Sequence, residues 1–85
     1  MTPGNRVLIV DDMADARTLL RLLLTHKGHY TVVEAINGHQ ALEEIRANTP
    51  HLIILDYMMP DLNGIEVVQS LRRDPATAGV PVIML

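Results

Sequence analysis

Val7-Leu8-Ile9-Val10-Asp11-Asp12 and its echo, His51-Leu52-Ile53-Ile54-Leu55-Asp56, decide the fold. Each is a short unbroken apolar run, rich in Val, Ile and Leu, that ends abruptly in an acid. With no polar alternation, such runs read as strands buried on both faces, as parallel sheets require. Helical spacing fills the intervals. A helix from about Met13 to Lys27, with Asp12 or its neighbour as N-cap, stops at Gly28. Thr31-Val32-Val33 opens a second strand that ends near Ala35. Asn37-Gly38 is then a strand-to-helix turn, and the helix carrying Ala41, Leu42 and Ile45 ends before Pro50. Tyr57 to Asn63 is a loop, and Gly64 to about Arg73 is a third helix with Val67, Val68 and Leu71 on one side. Val80–Leu85 starts a fourth strand. The order β-α-β-α-β-α-β predicts α/β architecture, a doubly wound parallel sheet with right-handed crossovers.

Composition removes several functional classes. The 85 residues suit one domain. With Cys at 0, disulfides and thiolate metal sites are excluded. Ten acids against seven bases give a charge of −3, which lacks a basic nucleic-acid footprint. Trp and Phe are both 0, leaving no base-stacking platform. The apolar runs fall far short of the ~20 residues that span a bilayer. Met1-Thr2-Pro3-Gly4-Asn5-Arg6 has no apolar h-region, so the cytoplasm is the expected location.

The acids at the strand ends are the candidate chemistry. Ligands of open α/β sheets bind outside the carboxyl ends of the strands, where strand order reverses. If the first and third strands are neighbours, Asp11, Asp12 and Asp56 share one small volume. Charges of one sign that close need compensation, and carboxylates with few other ligands suit Mg²⁺. The competing reading is local: an Asp before a helix can simply cap it.

These residues resemble the receiver domain of bacterial two-component response regulators. V-L-I-V-D-D at Val7–Asp12 is similar to that family's first strand and acidic pair. E-A-I-N-G-H-Q-A-L at Glu34–Leu42 resembles its second strand and the entry to its second helix. H-L-I-I-L-D-Y-M-M-P-D-L-N-G at His51–Gly64 resembles its phosphoacceptor segment, and V-P-V-I-M-L its fourth strand. The resemblance implies a flavodoxin-like receiver fold of sheet order 2-1-3-4-5. It implies that Asp56 accepts a phosphoryl group from a sensor histidine kinase or phosphotransfer protein. It further implies that Mg²⁺ is held by Asp11, Asp12, Asp56 and the Met58 backbone carbonyl. The expected role is a phosphoacceptor that catalyses its own phosphotransfer and dephosphorylation, coupled to an output domain, rather than an enzyme acting on other substrates.

In that family a Ser or Thr follows the fourth strand, and a fifth strand ends in a Lys. The sequence stops at Leu85 before either. The expectation is therefore a receiver domain over residues 1–85 that is C-terminally incomplete, with β1-α1-β2-α2-β3-α3-β4 present and α4-β5-α5 absent. The alternative function is a phosphorylation-impaired fragment acting as an interaction or dimerisation module. Two features favour self-association: the open edge of strand four, and Leu19, Leu20, Leu22, Leu23 and Leu24, which span roughly 200° of the first helix where about 100° would face one sheet. A phosphohydrolase of the haloacid dehalogenase type would want D-x-D where this chain has Asp11-Asp12-Met13. A dinucleotide-binding domain would want G-x-G-x-x-G. His26, His29, His39 and His51 share no metal spacing, and solvated or capping roles are expected for them.

Overall fold

A computed structural model describes residues 5–85. Met1–Gly4, on which the reading of the N-terminal segment partly rests, lie outside the described residues. The chain folds as β1 (Arg6–Val10), α1 (Ala14–Lys27), β2 (Thr31–Ala35), α2 (Gly38–Ala47), β3 (Leu52–Leu55), α3 (Gly64–Arg73) and β4 (Val82–Met84). The strands form one parallel sheet of order β2-β1-β3-β4. The connection from β2 to β3 crosses over β1, so strand order reverses between β1 and β3.

Alternation of side chains divides the central strands between two cores. Leu8, Val10, Ile53 and Leu55 join Ala35, Ala41, Ile45, Val67 and Leu71 in the larger core, under α2 and α3. Val7, Ile9 and Ile54 face the other way and meet Leu20 and Leu24 of α1. Burial on both faces is why β1 and β3 needed unbroken apolar runs. Each fully buried Leu, Ile or Val contributes about 1.5–3 kcal/mol of transfer free energy. The edge strands bear less: Val32 and Val33 of β2 are half-buried, and Ile83 of β4 is exposed.

Helix ends depart in detail from the sequence expectations. Neither acid caps α1: Met13 occupies the N-cap with no side-chain cap hydrogen bond. Instead, the Met13 N–H donates to Asp11 Oδ1 at 2.9 Å, turning the chain between strand and helix. Gly28 follows α1 as expected, but its backbone is extended (φ −164°), so the position does not use glycine's left-handed freedom. The Asn37-Gly38 turn opens α2 as expected, with Asn37 Oδ1 accepting from Gln40 N at 2.8 Å. A capping box of Asn63 and Glu66 starts α3.

The leucines of α1 follow the wide arc read from sequence. Leu20 and Leu24 pack on the sheet, while Leu19 and Leu22 are each 59% exposed and Leu23 is 51% exposed. On the same side of the sheet, Ile83 stands beside its register partner Ile54, and Leu85 is exposed beyond it. The outer edge of β4 has no strand partner among the described residues. Among the described residues, no helix is long and apolar enough to cross a membrane.

Candidate functional site

Register builds the site. Val10 of β1 pairs with Ala35 on one side and Leu55 on the other, so β1 and β3 end level with each other. The ladder continues one step further: Asp11 N donates to Ala35 O at 3.1 Å, and Asp56 N donates to Val10 O at 2.9 Å. Neighbouring strands lie about 4.8 Å apart. The acids that terminate them are therefore driven together by backbone pairing and not by any attraction of their own. Ligand oxygens of Asp11, Asp12 and Asp56 all lie within 4.8 Å of one another. Among the described residues this is the one group of three or more His, Cys, Asp or Glu side chains disposed to hold a metal ion.

Exposure is graded across the trio. Asp11 is buried, Asp56 half-buried and Asp12 exposed. The capping role that competed for these acids falls away with Met13 at the N-cap of α1. The Met58 N–H lies 3.3 Å from Asp56 Oδ1 and holds that oxygen from the backbone. An open basin of about 640 Å³ lies against Asp12 and Asp56, walled by Met13 and by the loop residues Tyr57, Met58, Met59, Pro60 and Asn63. Met58 stands 75% exposed on its rim, whereas Met59 packs against the larger core. A hard cation with oxygen ligands fits this donor set of three carboxylates beside open space for water.

The loop after Asp56 runs close to α3 and requires a glycine. Gly64 N donates to Tyr57 O at 2.9 Å. A Cβ on Gly64 would sit 3.1 Å from Tyr57 Cα and 3.3 Å from Asp56 O, so any side chain there would push the end of β3 aside.

Sequence reading assigned no role to two further groups. Asp61 Oδ1 accepts from Gly38 N and its Oδ2 from His39 N, both at 2.9 Å, and the His39 imidazole Nδ1 lies 2.6 Å from Oδ2. Partial burial works to raise the Asp61 carboxyl, but donation from the backbone of His39, Gly38 and Leu62 and from the His39 ring outweighs it and holds the group well below the usual carboxylate range. Glu34 on β2 is bridged by Arg21 at 2.6 Å and Arg17 at 2.9 Å, and Arg17 also donates to the Asp11 carbonyl at 2.7 Å. The hydrogen bond from Arg21 lowers the Glu34 carboxyl; burial opposes it, and Arg17 adds to the lowering. Neither group has a local signature, because its partners lie 13 to 23 residues away in sequence. Of the histidines, His39 serves this turn, and His51 Nδ1 lies 3.2 Å from Arg6 N. None belongs to a metal-like group among the described residues.

A parallel sheet of order 2-1-3-4, with three carboxylates where the order reverses, defines a doubly wound flavodoxin-like architecture with an acidic, cation-competent site. The chain belongs to the response regulator receiver domain family, whose model matches residues 7–85. It is 43% identical over 82 residues to the phosphate regulon transcriptional regulatory protein PhoB of Pseudomonas aeruginosa, covering 96% of this chain and 35% of that protein. It is 42% identical over 84 residues to the DNA-binding response regulator MtrA of Mycobacterium tuberculosis, covering 99% of this chain and 35% of that one. The chain thus spans about a third of the length of these relatives. Among solved structures, the signal receiver domain of a signal transduction histidine kinase from Syntrophus aciditrophicus superposes with a TM-score of 0.91 at 31% identity, covering 95% of this chain and 61% of that one.

Proposed function

We propose that this receiver domain accepts a phosphoryl group on Asp56 in a Mg²⁺-dependent phosphorelay. The observation that carries the reading is the meeting of Asp11, Asp12 and Asp56 within 4.8 Å at the ends of β1 and β3. Asp11, Asp12, Asp56 and the Met58 carbonyl would hold the ion. When bound, Mg²⁺ neutralises charge on the transferring phosphoryl group.

Asp56 is the nucleophile. Its Oδ1 is engaged by the Met58 N–H, which leaves Oδ2 for attack. A new P–O bond forms to that oxygen as the P–N bond to a donor phosphohistidine breaks. The electron pair stays with the imidazole nitrogen, which takes a proton from solvent. The donor is a sensor histidine kinase or phosphotransfer protein, met in the cytoplasm. The domain's own catalysis is limited to this transfer and to hydrolysis of the aspartyl phosphate. Contacts with nucleic acid would fall to an output domain, since this chain carries a net charge of −3.

Incubation with acetyl phosphate and Mg²⁺, followed by intact-mass spectrometry and peptide mapping, tests the reading. One phosphoryl group on Asp56, absent without Mg²⁺ and absent in Asp56→Ala, is the expected result. Labelling that persists in Asp56→Ala refutes it.

A further inference from the structure

We propose that Asp61 is a positioning residue of the phosphoacceptor site, tying the β3–α3 loop to the N-terminus of α2 and so holding in place the loop segment that carries Met58 beside Asp56. This rests on the Mg²⁺-dependent reading above. The first turn of a helix leaves N–H groups with no partner inside the helix. In α2 those of Gly38 and His39 go to the two oxygens of Asp61, and that of Gln40 goes to the N-cap Asn37. The pair of bonds to Asp61 is thus a bidentate clasp from a loop more than twenty residues away in sequence. The His39 ring closes on the same carboxylate.

The clasp sits where the loop needs an anchor. Asp61 follows Met58 by three residues, and the intervening Pro60 is exposed. Upstream, the loop is fixed by the end of β3; downstream, it is fixed by the bond from Gly64 N to Tyr57 O and by the Asn63–Glu66 capping box. Between those points Tyr57 N donates to Leu85 O and Met58 N to Asp56 Oδ1, both at 3.3 Å, and the ties that reach across to α2 are those of Asp61. Leu62 presses so closely on α2 that a Cβ on Gly38 would lie 2.7 Å from Leu62 Cβ. Loop and helix therefore move together, and a carboxylate at that helix end is also favoured by the dipole.

The test measures Mg²⁺ affinity of the intact chain by calorimetry well below its melting temperature, in wild type, Asp61→Ala, Asp61→Asn and Asn37→Ala. Groups that orient metal ligands typically cost 10–100-fold in affinity when removed. Asp61 acts through the loop, so Asp61→Ala is expected to weaken Mg²⁺ about tenfold, at the low end of that range. Asp61→Asn, which keeps one acceptor oxygen, should fall between, and it carries the test if the alanine variant does not fold. Asn37→Ala loosens the same helix end without touching the loop and should leave affinity unchanged. Reciprocally, Mg²⁺ should slow hydrogen exchange at the Gly38 and His39 amides in wild type and not in Asp61→Ala. Equal Mg²⁺ affinity in wild type and both Asp61 variants overturns the inference and leaves the proposed function standing. Equal weakening by Asn37→Ala also overturns it, because general loosening would then account for the effect. A wild-type chain that binds no Mg²⁺ overturns both.

Discussion

Replacing Asp12 by Asn should make the metal-free domain more stable and less responsive to Mg²⁺. Three carboxylates with ligand oxygens within 4.8 Å of one another are held together by β1–β3 register, so their repulsion is a cost the fold carries. At 4.8 Å in a water-like dielectric of ~80, each pair repels by about 0.9 kcal/mol. Asp12 takes part in two such pairs, so its neutralisation recovers roughly 1.7 kcal/mol at low salt. A Debye length of about 8 Å at 0.15 M salt reduces that to roughly 1 kcal/mol. In a domain of this size, 1 kcal/mol moves the melting temperature by about 4–8 °C. Thermal melts of Asp12→Asn in a chelating, low-salt buffer should therefore lie above wild type by at least that much, and the gain should shrink as NaCl is added. With Mg²⁺ the order should reverse in sensitivity: wild type gains stability by ligand binding, and the variant gains far less. An Asp12→Asn variant that melts at or below wild type without Mg²⁺, or that keeps the full Mg²⁺ shift, would refute the reasoning.

Glu34 should support stability only above the acid range: its folded-state carboxyl is lowered, so its contribution is present above the ordinary value of 4.5 and disappears as pH falls through the depressed one. Denaturant titrations should accordingly show Glu34→Gln less stable than wild type near pH 7, with the gap closing toward low pH. Gly38→Ala should destabilise by about 1–3 kcal/mol, because the added Cβ would lie 2.7 Å from Leu62 Cβ, a backbone-bound atom that cannot swing away; a urea midpoint at or above wild type would contradict that account. The 85-residue chain on its own should self-associate through exposed Leu19, Leu22, Ile83 and Leu85 and the open β4 edge. Burying ~300 Å² of that surface contributes about 7 kcal/mol against association costs of ~4–15 kcal/mol, so pairing that covers both surfaces is favoured over pairing through one. Light scattering over a dilution series should show this, and Ile83→Lys should shift the chain toward monomer.

Much of the architecture was legible in the residues. Unbroken Val/Ile/Leu runs at Val7–Val10 and Leu52–Leu55 could be satisfied only by burial on both faces, and that demand placed β1 and β3 at the centre of the sheet. The acids ending those runs, with the segment around Asp56, marked the candidate site before any geometry was known. These features are local: apolar periodicity, turn residues and the residue that stops a strand act over a few positions of chain. Tertiary structure alone decided the rest. Whether Asp11 and Asp12 capped α1 or faced Asp56 depended on β1–β3 register and on the Met13 N–H taking Asp11 Oδ1. The clasp of Asp61 on α2, and the hold of Arg17 and Arg21 on Glu34, are bonds between elements. An Asp in a loop and an Arg on a helix are unremarkable in sequence; each acquires its role when the sheet brings distant backbone amides and carboxylates within about 3 Å, a distance set by strand pairing and core packing.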